Sequence, residues 1–297
     1  MTKSTAALAA SIAAATLLLA GCDSNSGASK SSASSATPAS ATGAAKKAGT
    51  VRVLYAGSLV NLMKDVTPAF AKADGGDIQG KSAGSDALVS DIKGKIDQGD
   101  VFISASTGAN DGLVGKSNGD WESWNASFAT APLVLGYNPK SKFAQQLKTK
   151  PWYDVVTEPG FRLGSTDPKL DPKGKLAAQA LKDEKIPTSK TELFPEEQLL
   201  ARLSSGNLDA GFFYSSEAGD AHIPTIPLGK IHLQAQYTVT VLNKAPNAAG
   251  GQDFVKYLLG PSGKALLTKH GFTVTGVKVS GDTAGVPADL RSTLGLS

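Results

Sequence analysis

The chain has 297 residues, 41% of them hydrophobic and 19% charged, with 30 basic against 26 acidic residues and a net charge of +4. That balance belongs to a globular chain long enough for one large domain or two modest ones. Its basic residues form no tract with interleaved aromatics, which argues against a nucleic-acid-binding surface.

Residues 1–21 carry Lys3, then an Ala- and Leu-rich apolar stretch, then small residues directly before Cys22, the layout of an export signal. The apolar stretch after Ser11 is short for a bilayer, so a cleaved signal is expected in preference to a retained anchor. Cys22 is the single cysteine, which excludes an internal disulfide. "LAGC" (Leu19 to Cys22) resembles a bacterial lipobox. That likeness implies a diacylglyceryl thioether on Cys22 and attachment to the membrane by lipid alone, on its outer face. Residues 22–49 are Ser, Ala, Gly and Thr with little that is large and apolar, so they read as a flexible linker. The folded body is expected from Val51 onward.

"VRVLYA" reads as a buried strand. Leu59, Leu62, Met63, Val66 and Phe70 then recur at helical spacing, with Pro68 expected to kink or shorten the helix. "DIQGKSAG" is a weak strand, followed by a helix carrying Leu88, Ile92 and Ile96. "DVFISAS" and "APLVLGYN" are further strands. Strands alternating with helices predict an α/β architecture.

Gly57 and Ser58 fall where the first strand meets the first helix, and Gly84 and Ser85 repeat the arrangement. A serine there sits beside backbone N–H groups that lack an intrahelical acceptor. Taken singly, each reads first as a plain N-cap. Two such starts facing each other would form a cup of donors suited to a small oxyanion. Gly75 to Ser82, "GGDIQGKS", matches the pattern of a P-loop but follows a helix and leads into a strand, the wrong context for one. His222, His232 and His270 lack the pairing of a helical zinc site, and no G-x-S-x-G elbow occurs. Glu196 and Glu197 open the helix "PEEQLLARL", where acids favour the helix dipole.

Taken together, "LYAGSLVNLMKDVTPAF", "AGSDALVSDI", "GDVFISAS", "PLVLGYNPKSKF", "PGFRLGSTDPKLDPKGK" and "GNLDAGFFYSSEA" resemble, in order and spacing, the periplasmic molybdate- and tungstate-binding proteins of ABC importers. The likeness runs from about Val51 to Phe272; the stretch from Thr273 does not align. It implies a type II-like periplasmic-binding-protein fold: two α/β lobes with the ligand cleft between them. Residues 51–129 plus 235–297 would form lobe 1 and residues 130–234 lobe 2, with crossings near Ala129 and Gln234.

Carried over by position, the family's oxyanion ligands fall on Gly57, Ser58 and Ser85 in the first lobe. In the second they fall on Tyr214 and on the loop Asp171, Pro172, Lys173, Gly174. Proline has no N–H, so the Lys173 and Gly174 amides are the expected donors there. Neutral donors, without a buried lysine or arginine, are expected to hold the dianion. In the archaeal-type tungstate binders, two carboxylates bind the metal itself. Asp171 matches the first, but Phe213 stands at the second, so tetrahedral binding through hydrogen bonds is expected, with Asp171 turned away or capping the next helix.

The resemblance thus implies a monomeric lipoprotein receptor in the cell envelope that passes molybdate or tungstate to an ABC permease, with no catalytic residue and no cofactor or metal beyond the oxyanion's own. The alternatives are another oxyanion such as sulfate or phosphate, a small organic anion, and, from a different class, a secreted phosphate-ester hydrolase.

Overall fold

The computed structural model describes residues 49–74 and 76–297. The export signal, Cys22 and the linker up to residue 48 lie outside the described residues, as does Gly75.

In chain order the elements are β1 (Thr50–Ala56), α1 (Val60–Asp74), β2 (Asp77–Ala83), α2 (Ser85–Lys93), β3 (Val101–Ser104) and α3 (Thr107–Asn110). There follow β4 (Trp124–Tyr137), α4 (Ala144–Thr149), α5 (Trp152–Val155), β5 (Leu163–Thr166), α6 (Pro172–Asp183), β6 (Thr191–Phe194), α7 (Glu196–Ser204), β7 (Ala210–Tyr214) and α8 (Ser215–Asp220). The chain closes with β8 (Thr225–Pro227), β9 (Gln234–Val241), α9 (Ala248–Leu259), α10 (Pro261–Lys269), β10 (Thr273–Gly281) and α11 (Ala288–Arg291).

The strands lie in the order β2-β1-β3-β9-β4-β7-β5-β6, with β10 and β8 also paired to β4. β1, β2 and β3 are parallel, as are β5, β6 and β7, while β9 and β4 run antiparallel to their neighbours. The inner parallel strands are buried on both faces, as helices on each side require, with all four residues of β3 and all five of β7 buried, while the edge strands β2 and β6 are largely exposed.

β4 belongs to both halves of this arrangement. It pairs with β9 from Ala126 to Pro132 and then with β7 from Leu133 to Tyr137, changing partner between two consecutive residues. The segment from Thr273 forms β10 on the edge of β4, followed by α11. Phe70 of α1 meets Phe254 and Tyr257 of α9 edge to face, each at 5.5 Å, which ties the first helix to the C-terminal ones.

Two local expectations are corrected. Pro68 does not shorten α1, which runs through it to Asp74. It lies on the exposed side, where water can replace the bond it removes from the preceding turn. α2 stops at Lys93 and does not reach Ile96, which is 73% exposed. Lys95 adopts a left-handed φ of 56°, and the Lys95 and Ile96 amides donate back to Ile92 and Asp91 carbonyls, a Schellman ending that turns the chain before the apolar period is complete.

Candidate functional site

The ends of β1, β2, β5 and β7 and the starts of the helices that follow them meet along one seam. Across it the Gly57 amide donates to Glu196 Oε2 at 3.0 Å, the Ala87 amide donates to the Leu170 carbonyl at 3.1 Å, and Lys175 Nζ meets Asp86 Oδ1 at 2.7 Å. Glycine allows both of these approaches, and at Gly84 the neighbour is backbone that cannot give way. A Cβ on Gly57 would lie 2.5 Å from Glu196 Oε2, and one on Gly84 would lie 2.4 Å from the Leu170 carbonyl oxygen. A cavity of about 300 Å³ opens beside the seam, lined among others by Gly84, Thr166, Leu170, Asp171, Phe194 and Glu196.

The two serines are brought to this seam, but neither caps its helix. Ser58 lies in the 3-10 turn Gly57–Leu59, and its hydroxyl is hydrogen-bonded to the Tyr237 phenol at 2.9 Å. Ser85 is the first residue of α2, and its Oγ accepts the Ala105 amide at 3.1 Å, which leaves its own O–H to donate elsewhere. The plain N-cap reading of both is therefore overturned.

Asp171 caps α6, one of the two outcomes expected of it. Its Oδ1 accepts the Lys173 amide at 2.6 Å, while Pro172 opens the helix. This corrects the role expected of Lys173. Its amide is held by Asp171, and the residue enters the site through its side chain, which is 0% exposed. Lys173 Nζ donates to Glu217 Oε2 at 2.8 Å and Oε1 at 3.0 Å, and to Glu196 Oε1 at 3.3 Å. The expected cup of neutral donors is thus a cluster of three carboxyl groups, Asp171, Glu196 and Glu217, around one buried ammonium. Glu196 does more than favour a helix dipole, because its carboxyl is buried and bonded to two other elements.

The electrostatics follow from that crowding. Burial works against the Lys173 ammonium, but Glu217, Glu196 and Asp171 outweigh it and hold its pKa above the usual lysine value. Burial raises the Asp171 carboxyl despite the Lys173 charge. Burial, reinforced by Asp171, raises Glu196 well above the ordinary carboxylate range. The Tyr214 and Tyr237 phenols are raised as well, first by burial.

Tyr214 ends β7 fully buried, and its phenol has no hydrogen-bond partner in the protein. Thr166 Oγ1, Asp171 Oδ2 and Ser216 Oγ nearby along the same β5–α6 and β7–α8 junctions are in the same condition. Buried polar atoms are ordinarily paired, so a group of unpaired ones marks a place built to meet a polar guest. Phe213 is buried, its ring 5.6 Å from Lys173 Nζ, and brings no oxygen to the seam. Sequence reasoning missed Tyr237 and Glu217. Glu217 had a local signal, three residues after Tyr214 and accepting its amide at 3.4 Å as in a capping box.

The "GGDIQGKS" stretch runs from Asp77 in β2, which removes the P-loop reading. His270, expected on the surface or in packing, is buried between Asp220, at 2.8 Å, and Asp65, at 3.1 Å.

Residues 51–273 match the family model described as bacterial extracellular solute-binding protein. An uncharacterized solute-binding protein of Petrotoga mobilis is 25% identical over 269 residues, covering 75% of this chain and 83% of its own. The molybdate-binding protein ModA of Escherichia coli is 29% identical over 240 residues, covering 76% and 90%. The periplasmic molybdate-binding protein of Azotobacter vinelandii superposes with a TM-score of 0.64 at 18% identity, covering 76% of this chain and 99% of that one, a likeness of fold. These relatives are binding proteins and not enzymes, so the hydrolase alternative falls away. A two-lobed fold with its polar seam at the strand ends, and a family match from the first strand to the end of the C-terminal helix pair, agree: this chain belongs to the bacterial extracellular solute-binding proteins, the receptors of ABC transporters.

Proposed function

We propose that this protein is a monomeric, lipid-anchored receptor that captures a molybdate- or tungstate-type oxyanion at the seam and delivers it to an ABC permease. The observation that carries the reading is the Tyr214 phenol, fully buried at the seam with no protein acceptor. Along the same seam lie the Ser85 hydroxyl, which accepts the Ala105 amide and keeps its own O–H to donate, and the Gly57 amide, which already holds a Glu196 oxygen. Donors so arranged fit an anion with several oxygens, and hydrogen bonds to a charged group are worth about 1.5 to 3 kcal/mol each. The molybdate-binding name of the Escherichia coli relative supports the choice of oxyanion. Cys22, in its lipobox-like context, would supply the anchor.

A second reading, a small organic anion, is favoured by the apolar wall that Leu170, Leu193, Phe194 and Pro195 give the cavity. Titration with molybdate, tungstate, sulfate, phosphate and short-chain carboxylates, followed by tryptophan fluorescence, separates the two. The oxyanion reading expects molybdate and tungstate to saturate at the lowest concentration; saturation by a carboxylate alone would overturn it.

A further inference from the structure

Glu196 has a place that the donor set above leaves unexplained. Its Oε2 occupies the Gly57 amide, its Oε1 receives the Lys173 ammonium, and its carboxyl lies within hydrogen-bonding reach of Asp171. Around it stand Asp171 and Lys173 from the start of α6, Glu217 from α8, the phenols of Tyr214 on β7 and Tyr237 on β9, and, next on its own helix, Glu197 at the cavity wall. The Lys175–Asp86 pair bridges the seam from α6 to α2. Lys173 is the cation set against three buried carboxyls, so with all of them ionised the cluster would carry a net charge of −2 before any ligand arrives. Asp171 Oδ2 is buried with no donor in the protein, beside the Glu196 carboxyl.

An oxyanion that takes the Gly57 amide must meet the oxygen already there. Two anionic oxygens cannot share that place at contact distance in a buried site unless a proton lies between them. We infer that Glu196 is a specificity-determining residue that couples binding to a proton: the occupied site holds one proton between its carboxyl and a ligand oxygen. The inference rests on the oxyanion reading. The proton comes from an already protonated Glu196, from solvent, or from the ligand's own hydroxyl, and no other bond is made or broken. A ligand that is fully deprotonated, such as molybdate, depends on the protein for it; one that carries a hydroxyl, such as hydrogen phosphate, brings its own.

The raised Glu196 pKa gives the direction. A bound dianion raises it further, so affinity for molybdate is greatest where Glu196 is protonated in the free protein. Affinity then falls, by up to about tenfold per pH unit, as pH rises from the free protein's pKa toward that of the complex.

The test is calorimetry of the full chain with molybdate from pH 6 to 9, in two buffers of different ionisation enthalpy. The expected result is a falling affinity and a proton uptake that rises toward one per ligand. Glu196→Gln donates an N–H without titrating, and should abolish both the slope and the buffer dependence while holding affinity at pH 8 at or above that of wild type. A slope that survives in Glu196→Gln overturns the assignment to Glu196. If that variant does not fold, the wild-type buffer comparison still decides the coupling, and Glu196→Asp, whose shorter arm withdraws the carboxyl from Gly57, should flatten the profile if Glu196 is its source. Binding with a flat wild-type profile overturns the inference alone; no oxyanion bound at any pH overturns the oxyanion reading and the inference with it.

Discussion

Replacing Tyr214 by Phe separates a ligand group from a core group, because the two roles predict opposite signs. The ring is packed edge to face against Tyr237 at 6.2 Å and lies 5.7 Å from Lys173 Nζ, and a phenylalanine keeps both contacts. The hydroxyl alone is removed, and in the free protein it has no partner to lose. A buried, unsatisfied polar group costs about 1 to 3 kcal/mol, so Tyr214→Phe should leave stability unchanged or raise it by about 1 kcal/mol, after allowance for the small space left behind. For a body of this size that is about 2 to 4 °C in Tm. Binding should move the other way. Loss of one donor to a charged oxygen removes about 1.5 to 3 kcal/mol, or roughly 10- to 150-fold in Kd for molybdate. Thermal unfolding of the free variant and a fluorescence titration, for which the buried Trp152 and Trp124 are the reporters, measure the two quantities separately. A variant that loses more than about 1 kcal/mol of stability while keeping its affinity would refute the reasoning, and Tyr214 would then be a packing residue.

Two further outcomes follow from the same chemistry. Burial pushes the Glu122 carboxyl up to about 7 against the donors Asn110 and Asn125, so the folded state's stability from this group is full below about pH 4.5 and falls as pH rises toward 7, where the unfolded chain is already ionised, a loss of about 3 kcal/mol above that. Glu122→Gln, with Asn125 free to turn its unpaired Oδ1 toward the new amide, should remove that dependence, which urea unfolding at pH 5 and pH 8 measures. Cys22→Ser should move the protein from the membrane to the soluble fraction with oxyanion affinity intact; a variant that stays bound through a carbonate wash would remove the lipid anchor from the reading.

What could be read from the sequence was local, and what could not was long-range. β1 and β3 declared themselves by short runs of apolar residues, because strand burial depends on neighbours within a few residues, while the helix start at Asp171 and Pro172 was implied by the family resemblance. Ser58 and Ser85 were placed correctly at strand ends but with the wrong bonds, since their partners Tyr237 and Ala105 lie 179 and 20 residues away. Glu196 was hardest to read. Its helix-opening position gave an adequate local reason for an acid, and nothing in "PEEQLLARL" announces that Gly57, 139 residues earlier, will present an amide to it. Lys173 misled for the same reason: its backbone was legible as a helix start, while its side chain answers to Glu217 and Glu196 from two other helices.

β4 changes partner immediately after Pro132, which faces Gln234 on an exposed part of the β4–β9 ladder and has no N–H to give it. The next link is a single bond from the Leu133 amide to the Leu233 carbonyl, at 2.8 Å. Twisting one lobe against the other at this point therefore sacrifices little ladder bonding, and the free energy of opening resides mainly in the few contacts across the seam. The Ala87 bond is worth about 0.5 to 1.5 kcal/mol and the Gly57 bond to the Glu196 carboxyl up to about 3 kcal/mol, so opening the empty seam costs a few kcal/mol. A transporter that draws the seam apart would work against a handful of hydrogen bonds while the β4 ladders on either side of Pro132 stay paired.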